Sequence, residues 1–131
     1  MPPLIERLRI VLENDRRIAY ALIFGSIATG KAFAHSDLDV AIGVTSELDA
    51  MALGELASRL EAAGGRPVDL VLLEEAPPGL AYRIFRDGRT IVSRDRKALT
   101  RRRARAILEY LDFRPVEELC TRGVLAARDG R

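Results

Sequence analysis

The stretch LIFGSIATGKAFAHSDLDVAIGV, residues 22–44, decides how this chain is read. Its centre, Gly25-Ser26-Ile27-Ala28-Thr29-Gly30-Lys31-Ala32, is one residue short of the phosphate-binding loop Gly-x-x-x-x-Gly-Lys-[Ser/Thr]. The missing residue is chemically decisive. In such loops the hydroxyl after the lysine binds Mg²⁺, and Ala32 has no hydroxyl. Doubly wound domains built on that loop are also usually larger than 131 residues. The stretch is therefore read as another kind of phosphate grip.

Gly25 closes a run of strand character and Ser26 starts a short helix over SIATGKAF. A strand-to-helix turn exposes backbone N–H groups that suit phosphate oxygens. Gly25 lets the backbone come close, and the Ser26 hydroxyl adds a donor. Taken alone, this pair is an ordinary capped turn. After ten intervening residues, 27–36, comes Asp37-Leu38-Asp39. Acids two apart on a strand project from one face. Like charges held side by side repel unless a cation sits between them, and Mg²⁺ is the hard cation that prefers carboxylate and phosphate oxygens.

A third acid, Asp69, interrupts the apolar run VDLVLL. An unpaired carboxylate in a buried strand is costly. It becomes reasonable if that strand lies beside the first two acids and Asp69 completes a metal site. Three carboxylates, two metal ions and a phosphate-gripping turn define a two-metal phosphoryl-transfer centre. Asp37 alone reads as a turn acid; the joint spacing carries the inference.

Leu4, Leu8, Val11 and Leu12 share one face of a first helix, opened by Pro2 or Pro3 and stopped at Glu13-Asn14-Asp15. Residues 17–25 read as a buried strand and 36–44 as an alternating one. Leu53, Leu56, Leu60 and Ala63 mark a helix ended by Gly64-Gly65, and 66–75 a third strand. After Pro77-Pro78 come a short helix ending at Gly88 and a short strand over RTIVS. Ser93 or Asp95 caps a helix over about 95–112 whose apolar stripe is Ala104, Ile107, Leu108 and Leu111; Pro115 opens a final helix. The β-α-β-α-β order with flanking helices implies an α/β fold, a sheet covered by helices. Residues 1–131 are expected to form one domain, with 95–131 as a helical part that docks a partner.

Net charge is +2, but residues 1–75 hold 7 Lys/Arg against 12 Asp/Glu while 76–131 hold 14 against 7. The basic back half suggests an interaction surface. No aromatics interleave with the arginines of RKALTRRRARAILEY, 96–110, so direct nucleic-acid binding is not expected. There is no apolar run long enough to span a membrane and no signal-peptide pattern, and the single cysteine, Cys120, forms no internal disulfide. A reducing cytoplasm is the expected location. His35, the only histidine, reads as a loop residue, and Tyr82 and Tyr110 as half-buried.

Gly-Ser, ten residues, Asp-x-Asp and a later strand Asp resemble the signature of the DNA polymerase β-like nucleotidyltransferases. The short chain and the pattern LAYRIFRDGRTIVSRDR…ILEYLDFRP resemble their minimal nucleotidyltransferase (MNT) branch, whose antitoxins pair with HEPN toxins. The resemblance implies a small mixed sheet and Mg²⁺-dependent transfer of AMP from ATP to a hydroxyl, here a tyrosine of a HEPN ribonuclease. It further implies that Asp37 and Asp39 hold both metal ions, that Asp69 holds the nucleophile-side ion, and that Gly25 and Ser26 hold the β- and γ-phosphates. Many relatives carry an arginine where this chain has Thr29; Lys31 is the candidate to supply that charge to the phosphates. Two rival readings remain at this level: an adenylyltransferase acting on a small hydroxylated molecule such as an antibiotic, and an antitoxin acting by contact alone. The acceptor, the nucleotide preference and the assembly, homodimer or hetero-oligomer, are not legible.

Overall fold

A computed structural model of the chain describes residues 3–25, 28 and 37–129, the segment 113–129 by its backbone alone. Four strands form one mixed sheet in the order β3-β2-β1-β4. The chain runs α1 (Leu4–Glu13), β1 (Ile18–Phe24), β2 (Leu38–Val44), α2 (Ala50–Gly64), β3 (Val68–Leu72), a 3-10 turn (Leu73–Glu75), α3 (Pro78–Asp87), β4 (Arg89–Ser93) and α4 (Arg96–Asp129). β1 pairs antiparallel with both β2 and β4, and β2 pairs parallel with β3.

The local signals act as elementary chemistry requires. Pro3 precedes α1, where its missing N–H costs nothing. The Asp49 carboxylate accepts the Ala52 N–H at 2.7 Å and caps α2, and Gly65 ends that helix at φ +70°. Asp95 accepts the Ala98 N–H at 3.0 Å at the start of α4.

Strand alternation divides the core into two. Ile23, Leu38, Val40, Ile42 and Ile18 face α1 and α2, meeting Leu8, Leu12, Leu56 and Leu60. Tyr20, Leu22 and Ala41 face α3 and α4, meeting Ala81, Ile84, Leu99 and Ala106. β1 and β2 are covered on both sides, so β2 is buried nearly throughout rather than alternating. Gly43 is part of this fit: its register partner Tyr20 lays its ring where a side chain would stand, with Cζ 2.0 Å from the place of a Cβ.

Three further expectations need correction. β3 ends at Leu72 rather than Glu75, because the backbone turns there and buries Leu73 instead of continuing the ladder. The two helices expected after residue 95 are one: the backbone is helical from Arg96 through Asp129, past Pro115. An interior proline removes one hydrogen bond and strains the preceding turn, which the bonds on either side can carry. The third concerns the face of α4. Ile107, Leu108 and Leu111 are 42%, 63% and 48% exposed, while Leu99, Arg102 and Ala106 are buried. A buried arginine in place of an apolar residue hides the packed face from a hydropathy pattern. The Arg102 Nη2 donates to the Leu73 carbonyl at 2.8 Å. Tyr82 and Tyr110 are half-buried, as expected, and stack at 4.0 Å where α3 meets α4.

Candidate active site

The three aspartates gather at one end of the sheet. Asp39 lies in β2 beside Phe24 of β1 on one side and Asp69 of β3 on the other, each a register partner. Asp37 immediately precedes β2. Val68, Leu70 and Leu72 turn to the α1/α2 core. Alternation therefore sends Asp69 to the opposite face, the one that Asp37 and Asp39 share. Asp69 is exposed because β3 is an edge strand. The burial cost that marked it in the sequence does not arise; its register does the positioning.

Gly25 follows β1 with φ +77°, a backbone geometry that favours glycine. It has a second reason to be glycine. A Cβ there would stand 2.3 Å from Asp39 Oδ2, so the absent side chain makes room for the carboxylate. The glycine of the turn and the second acid of Asp-x-Asp are thus packed together. Sequence reasoning assigned Gly25 to phosphate approach and missed this contact, for which the Gly-Ser/Asp-x-Asp spacing was the available signal.

Electrostatics agree with the geometry. Burial raises the Asp39 carboxyl above its ordinary value of 3.8, and the nearby charges of Asp69 and Asp37 raise it further. The groups are close enough to repel through space. Among the described residues, however, no three acid, histidine or cysteine side chains converge tightly enough to hold a metal ion. Asp37 and Asp69 are both exposed. The donors suit Mg²⁺ in kind, three hard carboxylates beside a phosphate-accessible turn, and the backbone spacing suits it; convergence requires rotation of two exposed side chains.

Ser26, Lys31, His35 and the expected helix over 26–33 lie outside the described residues. A cavity of about 570 Å³ lies at the other end of β2 and β3, lined by Glu47, Asp49, Glu74 and Glu75. Its lining holds no glycine turn and no lysine or arginine to grip a triphosphate, unlike the end of the sheet where Gly25 sits.

Residues 6–97 match the family model described as polymerase beta, nucleotidyltransferase, a span that includes Gly25, Asp37, Asp39 and Asp69. The chain belongs to this nucleotidyltransferase family. It is 30% identical over 84 residues to the protein adenylyltransferase MntA of Shewanella oneidensis, spanning 64% of this chain and 60% of that protein's length. Its fold is similar to a chain of a toxin–antitoxin crystallised with AMP-PNP, at TM-score 0.81 and 24% identity over 93% of this chain and 98% of the other. It is similar also to a chain in the structure of a tri-AMPylated Shewanella oneidensis HEPN toxin in complex with its MNT antitoxin, at TM-score 0.76 and 22% identity over 94% and 97%. At those identities the structural likeness speaks to the fold, the mixed sheet and helices expected from the sequence. Among the described residues no helix is long and apolar enough to cross a membrane.

Proposed function

We propose that the chain is a Mg²⁺-dependent adenylyltransferase that moves AMP from ATP to a protein hydroxyl, a tyrosine of a HEPN-family toxin, and so acts as an antitoxin. The observation that carries this reading is the pairing of Asp39 with Asp69 across β2 and β3, with Asp39 packed on Gly25. The similarity to a protein adenylyltransferase supports the choice of AMP, and the likeness to toxin–antitoxin complexes supports the choice of partner.

In the transfer, the acceptor oxygen bonds to the α-phosphorus of ATP and the bond from that phosphorus to the β-bridging oxygen breaks. Pyrophosphate leaves, and the hydroxyl proton passes to water or a carboxylate. Bound Mg²⁺ would offset the triphosphate charge and sharpen the acceptor oxygen as a nucleophile. Asp37, Asp39 and Asp69 are the residues that would hold it. The Gly25 turn, with Ser26 and Lys31, takes the β- and γ-phosphates. The raised proton affinity of Asp39 keeps this face in need of positive charge, which favours the metal-bound nucleotide over the bare anion.

Pyrophosphate release in the presence of acceptor tests the reading. Asp39→Asn and Asp69→Asn should each lower it at least about a hundredfold. Asp39→Asn should also melt at the same temperature as the parent or higher, because it removes a half-buried charge that its neighbours repel. Undiminished pyrophosphate release in Asp39→Asn would remove the acids from the chemistry.

A further inference from the structure

Of the five large hydrophobic side chains exposed among the described residues, Ile107, Leu108 and Leu111 lie together on α4; Ile10 and Met51 stand apart on other helices. Ala104, also exposed, completes the spacing i, i+3, i+4, i+7. The stripe points roughly 150° around the helix axis from the packed face of Leu99, Arg102 and Ala106. Clustered apolar surface of this kind marks an interaction site, whereas scattered single residues do not. The family match ends at residue 97, so the stripe lies beyond the nucleotidyltransferase core. With 34 residues α4 is about 51 Å long, and strands of 5 to 7 residues span about 17–23 Å. The helix outreaches the sheet it packs on.

The margins of the stripe say what covers it. Arg96 and Arg103 flank it on one side, and Lys97, Arg101 and Arg105 on the other, all exposed. Arg105 is paired with Glu74 at 3.0 Å and with Glu109 at 2.9 Å, and Arg103 lies over the Phe85 ring at 5.5 Å. Lys97 and Arg101 stand on the Arg105 flank, Arg101 beside a cavity that Glu74 and Asp95 also line. A second copy of this helix laid parallel would set cations against cations. A partner with acidic margins would not.

We infer that the outward stripe of α4 docks an amphipathic helix of the acceptor protein, apolar at its centre and acidic along its edges. The inference rests on the reading of the acceptor as a protein. Docking there would hold the acceptor near the aspartates by contacts outside the chemistry, raising its effective concentration at the site. The docking surface should then govern KM for the acceptor and leave kcat alone.

The experiment uses the full chain, ATP labelled at the α-phosphate, and the acceptor that the labelled band of source lysate identifies, purified unmodified. The parent is compared with Ile107→Glu/Leu108→Glu; both positions are exposed, and equal melting temperatures establish that the variant folds. The expected result is a KM for the acceptor raised at least about tenfold at unchanged kcat, with fluorescent-ATP affinity unchanged and the parent KM rising with salt. Equal KM values would overturn the docking surface while the adenylyltransferase reading stands. A parent dimer, seen by sedimentation, that the variant dissolves would assign the stripe to a second copy and overturn the inference. No labelled acceptor with the parent protein would remove the protein-acceptor reading, and this inference with it.

Discussion

Replacing Gly25 with alanine separates backbone strain from damage to the site. Alanine at φ +77° costs about 1–2 kcal/mol, the price of a left-handed conformation for an L-residue. In a chain of this size that lowers the melting temperature by about 3–8 °C. The second effect is local. The new Cβ would stand 2.3 Å from Asp39 Oδ2, less than van der Waals contact, so the carboxylate must move by about 1 Å. Displacements of that size in a reacting constellation cost roughly a hundredfold in rate. Gly65 is the internal control: it has φ +70° and nothing within 4 Å of a Cβ. Gly65→Ala should show the same thermal loss and keep AMP transfer. Both variants are assayed by calorimetry and by transfer from α-labelled ATP to acceptor. Gly25→Ala with parental transfer, or Gly65→Ala with the same loss of transfer, would refute the link between this glycine and Asp39.

Two further perturbations probe the scaffold. Asp15, 8% exposed, accepts from the Arg17 side chain at 2.7 and 2.9 Å, and that bonding holds its carboxyl at about 2 against an ordinary 3.8. Its contribution of about 2 kcal/mol is complete above its unfolded pKa and fades as pH falls toward the folded one. Asp15→Asn should therefore lower the urea midpoint at pH 7 and match the parent near pH 2; an equal gap at both pH values would contradict the assignment. Gly43→Ala drives a methyl into the Tyr20 ring and should cost about 1–3 kcal/mol. Adding Tyr20→Leu should recover part of that loss, and strict additivity of the two changes in denaturation would show that the ring is not the obstacle.

The continuous apolar run of β1 was readable because that strand is covered on both faces, and the helix signals at Gly65 and Asp95 were readable because each satisfies a local need; β2 was read as alternating, and the Asp49 cap was not read at all. Asp69 was found for a reason that does not hold. It looked like a buried charge, yet β3 is an edge strand and the residue is exposed; edge position is a property of strand order, which no local pattern encodes. α4 misled twice. Its apolar stripe faces outward and its packed face includes Arg102, a choice set by α3 and the 3-10 turn rather than by hydropathy. Pro115 looked like a helix start, but the helical backbone runs through it. The acid register and the Gly25–Asp39 packing agree with the sequence spacing; the roles expected of Ser26 and Lys31 fall on residues outside those described.

The most direct measurement incubates the purified chain with Mg²⁺, source lysate and ATP labelled in parallel at the α- and γ-phosphates, beside Asp39→Asn. The account predicts α-label on a protein band, no γ-label on it, and neither with Asp39→Asn. Label from the γ-phosphate alone, or α-label that persists in Asp39→Asn, would contradict it.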